Sequence, residues 1–539
     1  MRRLVLGPLL RQVGERTATV WVETDGPGEV SVLGAMSLTF TVHGHHYAIV
    51  EVDGLTPGST TPYEVSLDGE VVWPEPAADF PPSTIRTPDP GRPLRVTFGS
   101  CRKAGAPAAT HGMDALSAYA RRLATAGAGW PTVLLLIGDQ VYADEAPPAL
   151  REFIRSRRDV AEPPHEEVLD FDEYAELYRL AWTEDPAVRW LLSTVPTLMI
   201  FDDHDIRDDW NTSHTWRREM AARPWWHRRI VSGLGAYWIY QHLGNLGPAE
   251  RRADAVYAAI RTAGDANGHD EDYGKIVDEF AERGDSHPES ARWSYAQDFG
   301  GTRLIVLDSR CARVLDRDRR AMLDDAEHAW FEAHCTGGVD HLLIASSLPY
   351  LLPPAIHDTE AWDEAISAGV WGRPFARLGE RVRQATDLEH WAAFQRSFRQ
   401  VAASLLETVG GDRGDPPASV TLMSGDVHYS YLARVDGRPI AQVVCSPLRN
   451  PLAPRLRRAN RLACLRGLRL PFRWLARAAG VAASPLGWRL TAGPWFANAI
   501  ATIDIDGRAA TVRWETPAEQ GMTELGRAAL NPPAAVPRP

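Results

Sequence analysis

Asp139 and Tyr142 in G-D-Q-V-Y-A-D, residues 202–205 in D-D-H-D, and Asp426 and His428 in S-G-D-V-H have the types and spacing to hold metal ions. Each group follows a short apolar run, at 133–137, 198–201 and 420–423. Charged groups are costly to bury without a compensating partner, and a cation is a simple partner for carboxylates crowded at a strand end. Asp139 and Tyr142 lie three residues apart, so a loop leaving the strand can aim both inward. A phenolate beside a carboxylate is a hard anionic pair that suits a ferric ion. Asp426 and His428, two apart, point the same way if the strand stays extended. His204 beside Asp203 sets a proton donor next to a ligand, which suits protonation of a leaving alkoxide. A bridged metal pair clamps the attacking and leaving oxygens of phosphoryl transfer. Asp202 and Asp205 then support the ligands.

The elements that must position these residues repeat one grammar, an apolar run followed at once by a polar cluster. The run 94–98 ends in Gly99-Ser100-Cys101, 304–307 in Asp308-Ser309-Arg310, and 341–345 in Ser346-Ser347. Short continuous apolar runs fit strands buried on both faces. Helical stretches, such as 113–125 and 387–407, lie between them. This alternation predicts an α/β domain whose site lies beyond the carboxyl ends of the strands. Residues 1–88 instead read as a small all-β, immunoglobulin-like sandwich, with strands at 18–24, 29–33, 47–52 and 63–67 parted by turns such as Asp68-Gly69. Its His43, His45 and His46 have no carboxylates nearby in sequence and are expected to be solvated. A proline-rich run, 74–93, leads out of this module. The insertions 145–195 and 210–292 are charged, Trp-rich and helical by pattern, with Trp226 and Trp238 either walling a cleft or packing. Residues 516–539, rich in Ala and Pro, are expected to form a disordered tail.

Composition narrows the function. The formal net charge of −12 argues against sequence-specific nucleic-acid binding. Five scattered cysteines without C-x-x-C spacing are not a disulfide framework. The start M-R-R-L-V-L-G-P has no apolar signal region, and no run approaches the roughly 18–20 apolar residues of a membrane span. A cytoplasmic location is expected. Segment 449–477 holds nine arginines and no acid, with leucines, Phe472 and Trp474 interleaved. Such a segment can lie on an anionic membrane surface or against the protein's own acidic body, and the second is the expectation. His334-Cys335 resembles a cysteine-phosphatase start, but His341 stands where the arginine is needed. There is no G-x-S-x-G elbow for a serine hydrolase.

The ordered set G-S-C, G-D-Q-V-Y-A-D, D-D-H-D-I-R-D-D-W, L-D-S-R and S-G-D-V-H resembles the alkaline phosphatase D (PhoD-like) family of metallophosphoesterases, over roughly residues 94–515. The resemblance implies a two-sheet β sandwich flanked by helices, with a metal cluster at its edge holding Fe3+ and Ca2+, or another divalent ion such as Mg2+ or Mn2+. It implies Cys101 and Tyr142 as iron ligands, Asp139 as the bridging ligand and Asp203 as a ligand of the second metal. Asp426 and His428 occupy the place of the wider superfamily's G-H-x-H, and His204 corresponds to the catalytic histidine. Asp144, Asp208 and Arg310 are expected as supporting or phosphate contacts. No D-x-H opens the domain, and Ser346-Ser347 stands where relatives carry histidine. The expected function is hydrolysis of small phosphomonoesters or phosphodiesters, the alternative being a catalytically silent binder of phosphorylated ligands.

Overall fold

The apolar runs that precede the ligand-like clusters are the parallel strands of two sheets. The computed structural model describes all residues except 1, 77–78, 90, 128, 268–270, 465–466, 468 and 532–539. The first sheet runs in the order Thr197–Ile200, Val133–Ile137, Leu94–Gly99, Ile500–Asp506, Ala509–Ala518, Gly521–Ala529. Its first three strands are parallel and the rest antiparallel. The second sheet runs Tyr295–Phe299, Thr302–Leu307, His341–Ser346, Ser419–Ser424, Ile440–Val444, Ser430–Val435, Trp488–Trp495, with Thr302–Leu307 through Ile440–Val444 parallel.

Alternation along the second sheet divides its side chains between two cores. Leu304, Val306, Leu343 and Ala345 meet Val96, Phe98, Leu134 and Leu136 of the first sheet. Ile305, Leu307, Leu342 and Ile344 face the other way, onto Phe331 of helix Asp325–His334 and Phe398, Val401 and Leu405 of helix Gln395–Gly410. Each such side chain contributes roughly 1.5–3 kcal/mol by leaving water. The result is the expected two-sheet sandwich flanked by helices, and its parallel strands deliver their carboxyl ends to one edge.

The strands within 4–86 form the expected small β-sandwich, with two four-stranded antiparallel sheets closing on Leu10, Val20, Val30, Val50, Val65 and Trp73. Its other face is not solvated. Leu9, Trp21, Tyr47 and Ile49 join the main core, Arg11 Nη2 donates to the Gln241 carbonyl at 2.6 Å, and the Tyr47 and Tyr240 hydroxyls lie 3.0 Å apart. His45 is bound by Glu23 at 2.9 Å and Asp172 at 3.1 Å, and His43 by Asp278 at 2.9 Å. The expectation of solvated histidines is therefore corrected, because two of these carboxylates arrive from the helical insertions more than a hundred residues away.

Three further expectations change. Residues 516–531 are not a disordered tail: strand Ala509–Ala518 turns into Gly521–Ala529, pairs with it, and buries Leu530. Residues 532–539 of the expected tail lie outside the described residues, as do parts of the proline-rich run and of segment 449–477. The helix expected over 387–407 begins only at Gln395, and 387–394 is a loop and a short 3-10 turn. The arginines of 449–477 meet the acidic body at Arg469, 3.0 Å from Asp358, and at Arg449, 4.0 Å from Asp114. The charges of Arg473 and Arg477 also act on Asp358, and Arg461 lies over the Phe496 ring, whereas Arg455 and Arg458 have no carboxylate partner among the described residues. Trp226 and Trp238 are buried packing residues. Among the described residues, no helix is long and apolar enough to cross a membrane.

Candidate metal centre

Loops leaving the carboxyl ends of the parallel strands are stitched together by backbone hydrogen bonds. Cys101 N–H donates to the Gly138 carbonyl, Arg102 N–H to Asp139, Gly138 N–H to Ile200, Gly425 N–H to Ser347 and Leu448 N–H to Ser100, all within 2.7–3.2 Å. Two glycines permit this closeness. A Cβ on Gly138 would stand 2.7 Å from that of Asp202, and one on Gly425 would collide with the Ser100 hydroxyl, where the two sheets meet. Cys101, Asp139, Asp426 and His428 all adopt left-handed backbone, with φ of 56°, 54°, 62° and 56°. Non-glycine residues seldom do so, at a cost of about 1–3 kcal/mol each, and such positions cluster at functional sites. This geometry also corrects the extended reading of G-D-V-H. Strand Ser419–Ser424 ends before it, so the two side chains part company.

The side chains form adjoining groups. Donor atoms of Cys101, Asp139 and His428 lie within 4.8 Å of one another, as do those of Asp139, Asp202 and Asp203, and those of Asp203, His204 and Asp208. Asp139 belongs to two groups, as a bridging carboxylate must. Tyr142 Oη lies 3.4 Å from Asp139 Oδ2 and accepts from Asn450 Nδ2 at 3.1 Å. Ser446 Oγ donates to Cys101 Sγ at 3.2 Å. The buried oxygens Asp139 Oδ1, Asp202 Oδ2 and Asp203 Oδ1 have no hydrogen-bond partner. Buried carboxylate oxygens without donors call for a cation, so the residues present fit a metal pair.

The electrostatics agree. Burial, then the charges of Asp202, Asp203 and Asp205 acting against His204, holds the Asp139 carboxyl well above the usual range. Burial and neighbouring carboxylates push Asp208 up to about 7 and Asp209 up to about 8. Added positive charge would reverse these shifts. Burial pushes His428 down to about 4, so its imidazole is neutral, the form a metal takes.

Arg310 supplies the cationic anchor. It is fully buried, binds Asp202 through Nε and Glu389 through Nη1 at 2.6 Å, and its Nη2 lies 3.1 Å from Asp203 Oδ1, out of line for a hydrogen bond. Through Nε and Nη1 it steadies Asp202 and Glu389, while Nη2 has no hydrogen-bond partner. Asp205 supports both ligand loops, accepting from the backbone N–H of Asp139 and of Asp202 at 3.0 Å. It is held in turn by Gln241 Nε2 at 2.8 Å. Gln241 lies in a π-helical turn, Trp238–His242, a form that recurs at functional sites.

His204 stands beside the Asp203 group with its ring 4.6 Å from that of Tyr142. Its Nδ1 is 3.0 Å from both oxygens of Asp144, and its Nε2 is 3.7 Å from Asp208 Oδ1. Burial would lower the imidazole's pKa, but Asp144, Asp203 and Asp139 outweigh it and raise the pKa well above the ordinary value. Against its own burial, Asp144 is drawn down to about 2 by His204. Asp144 thus holds Nδ1 and leaves Nε2 as the free ring nitrogen, 3.7 Å from Asp208.

Asp426 is the sequence-derived ligand candidate placed apart. Its Oδ2 lies 2.9 Å from His390 Nε2, and its Oδ1 is 3.9 Å from Arg310. His390 is held by Glu360 at 2.8 Å. His390, Glu389 and Gln241 carry no strand-end signal because they come from a loop and a helix, whereas Ser446 and Asn450 follow strand Ile440–Val444, whose end carries no charged cluster next to it. A histidine next to an acid at 389–390 was the one available signal, hidden inside an expected helix.

Residues 98–266 match the family model of PhoD-like phosphatase, and residues 1–85 match that of a domain of unknown function, DUF7800. The solved structure of PhoD is 11% identical, with 97% of this chain and 92% of that chain covered at a TM-score of 0.57, which shows the shared fold. A purple acid phosphatase from yellow lupin (Lupinus luteus) seeds is 11% identical, covering 97% of this chain and 73% of that chain at a TM-score of 0.45. No curated protein matches the chain. The resemblance carried by the motifs therefore holds.

Proposed function

We propose that this chain, whose residues 98–266 belong with the PhoD-like phosphatases, is a metal-dependent phosphoester hydrolase. The observation that carries the reading is Asp139 shared between two ligand groups, with the His204–Asp144 pair beside them. Cys101, Asp139, Tyr142 and His428 would hold Fe3+. Asp139 and Asp203 would hold Ca2+ or another hard divalent ion, since oxygen ligands suit such ions, while Asp426, bound to His390, would support the site from beside it. When bound, the metals supply Lewis acidity and bring the pKa of the attacking water toward neutrality.

The chain's own residues handle the proton and the geometry. His204 Nε2 gives its proton to the leaving alkoxide as the P–O bond breaks. Asp144 holds Nδ1 and fixes the ring. Arg310 keeps Asp202 and Asp203 in place, and the Asp205 contacts keep both ligand loops in register. The test combines metal analysis with hydrolysis of a chromogenic phosphomonoester and phosphodiester. Wild type should bind metal and cleave at least one ester, and Asp139→Asn should lose at least about a hundredfold in rate together with metal. Metal bound by wild type with neither ester cleaved would overturn the proposal.

A further inference from the structure

Helices Pro454–Ala463 and Arg469–Ala478 leave the rim of the metal centre. Just before them, Arg449 N–H donates to the Cys101 carbonyl at 3.1 Å and Asn450 donates to Tyr142. The second helix is fastened to the body by Arg469, which pairs with Asp358 and lies over the Trp488 ring, and by buried Ala476. Leu456, Leu462, Leu470 and Trp474 are 53%, 56%, 70% and 69% exposed. Leu470 and Trp474 are four residues apart and share one helix face, while Arg473 and Arg477 follow Arg469 at four-residue steps and act with it on Asp358. The Trp371 indole donates to the Ala478 carbonyl at 3.4 Å, joining this pair to helix Arg373–Ala385, where Phe375 and Leu378 are 47% and 50% exposed beside exposed Arg373 and Arg377.

We infer that this helical surface docks the protein on an anionic lipid bilayer. Bulky apolar side chains beside Arg373, Arg377, Arg455 and Arg458, which have no carboxylate partner among the described residues, match that partner: the former enter between headgroups while the guanidinium groups meet lipid phosphates. A nucleic-acid face needs cations but no exposed aliphatic side chains. Two copies of this chain meeting through the same face would set arginine against arginine. The remainder of the chain is acidic, so the basic surface also orients the protein, turning the rest away from the bilayer.

The experiment is flotation of the full chain with phosphatidylcholine vesicles, with and without phosphatidylserine. Binding should be at least about tenfold stronger with phosphatidylserine and should weaken as salt is raised. Leu470→Glu with Trp474→Glu should cost about tenfold or more in binding, as should Arg455→Glu with Arg458→Glu. Circular dichroism should stay as in wild type. Equal binding to both compositions, binding to neither, or wild-type binding by both double variants overturns the inference. So does self-association or oligonucleotide binding that the variants abolish while vesicles are ignored. Flotation reads no turnover, so its failure is distinct from a failure of the hydrolase reading.

Discussion

His204 shows how much one residue's neighbours decide. Its Nδ1 is committed to Asp144, which leaves Nε2 as the atom able to deliver a proton. A general acid matters most when the leaving group is a poor one. His204→Gln should therefore lower kcat by about 10²–10⁴-fold for an alkyl phosphoester and far less for a nitrophenyl ester, with metal content unchanged. Equal losses on both esters would mean that His204 serves the ligands and not the leaving group. Tyr142 offers a second check at this scale. Its phenol is buried against Asp139 and takes a hydrogen bond from Asn450. Purified wild type should show a visible phenolate-to-iron absorption band, and Tyr142→Phe should abolish it while iron stays bound. A colourless, iron-free but fully active wild type would remove the iron assignment.

At the scale of elements, the N-terminal sandwich is clamped to the helical insertions, and the insertions in turn steady the ligand loops. Strand His45–Val52 carries His45 to Asp172 of helix Phe171–Thr183 and to Glu23 of strand Ala18–Thr24. Burial works against the charged ring, but hydrogen bonds to Asp172 and Glu23 raise His45 to about 9. The folded pKa is thus above the unfolded one. The stabilisation is whole below about pH 6.5 and is lost as pH climbs through about 9. Wild type should lose on the order of 1–2 kcal/mol more than His45→Gln between pH 6.5 and 10, read from denaturant midpoints. Parallel curves for the two proteins would show that the clamp carries no charge. A separate contact of the same sandwich reaches the site: Arg11 donates to the Gln241 carbonyl, Gln241 donates to Asp205, and Asp205 accepts from the backbone of Asp139.

For the whole molecule, the C-terminal hairpin closes one edge of the first sheet. Strand Gly521–Ala529 covers Ala509–Ala518, Leu530 is buried, and Arg434 of the second sheet donates to the Leu530 carbonyl at 3.2 Å. Removing residues 519–539 would bare a strand edge and an apolar pocket together. Truncation there should cost at least about 2 kcal/mol and promote aggregation through the opened edge, measured by thermal unfolding and light scattering. A truncated protein as stable and monodisperse as the full chain would show that the hairpin is dispensable.

What the sequence by itself determined was the skeleton of the site. Apolar runs too short for helices had to be buried strands, and the charged clusters after them had to lie together, because parallel strands deliver their ends to one edge. Cys101, Asp139, Asp203, His204 and His428 were legible on that ground and from the order of their motifs. Only the tertiary structure decided that Asp426 turns away from His428 toward His390, because left-handed backbone at both residues breaks the alternation that an extended reading assumes. The same holds for Glu389, Gln241 and the carboxylates around His43 and His45. These contacts join residues far apart in the chain, set by the packing of helices whose local pattern records which face is apolar but not which neighbour it will meet.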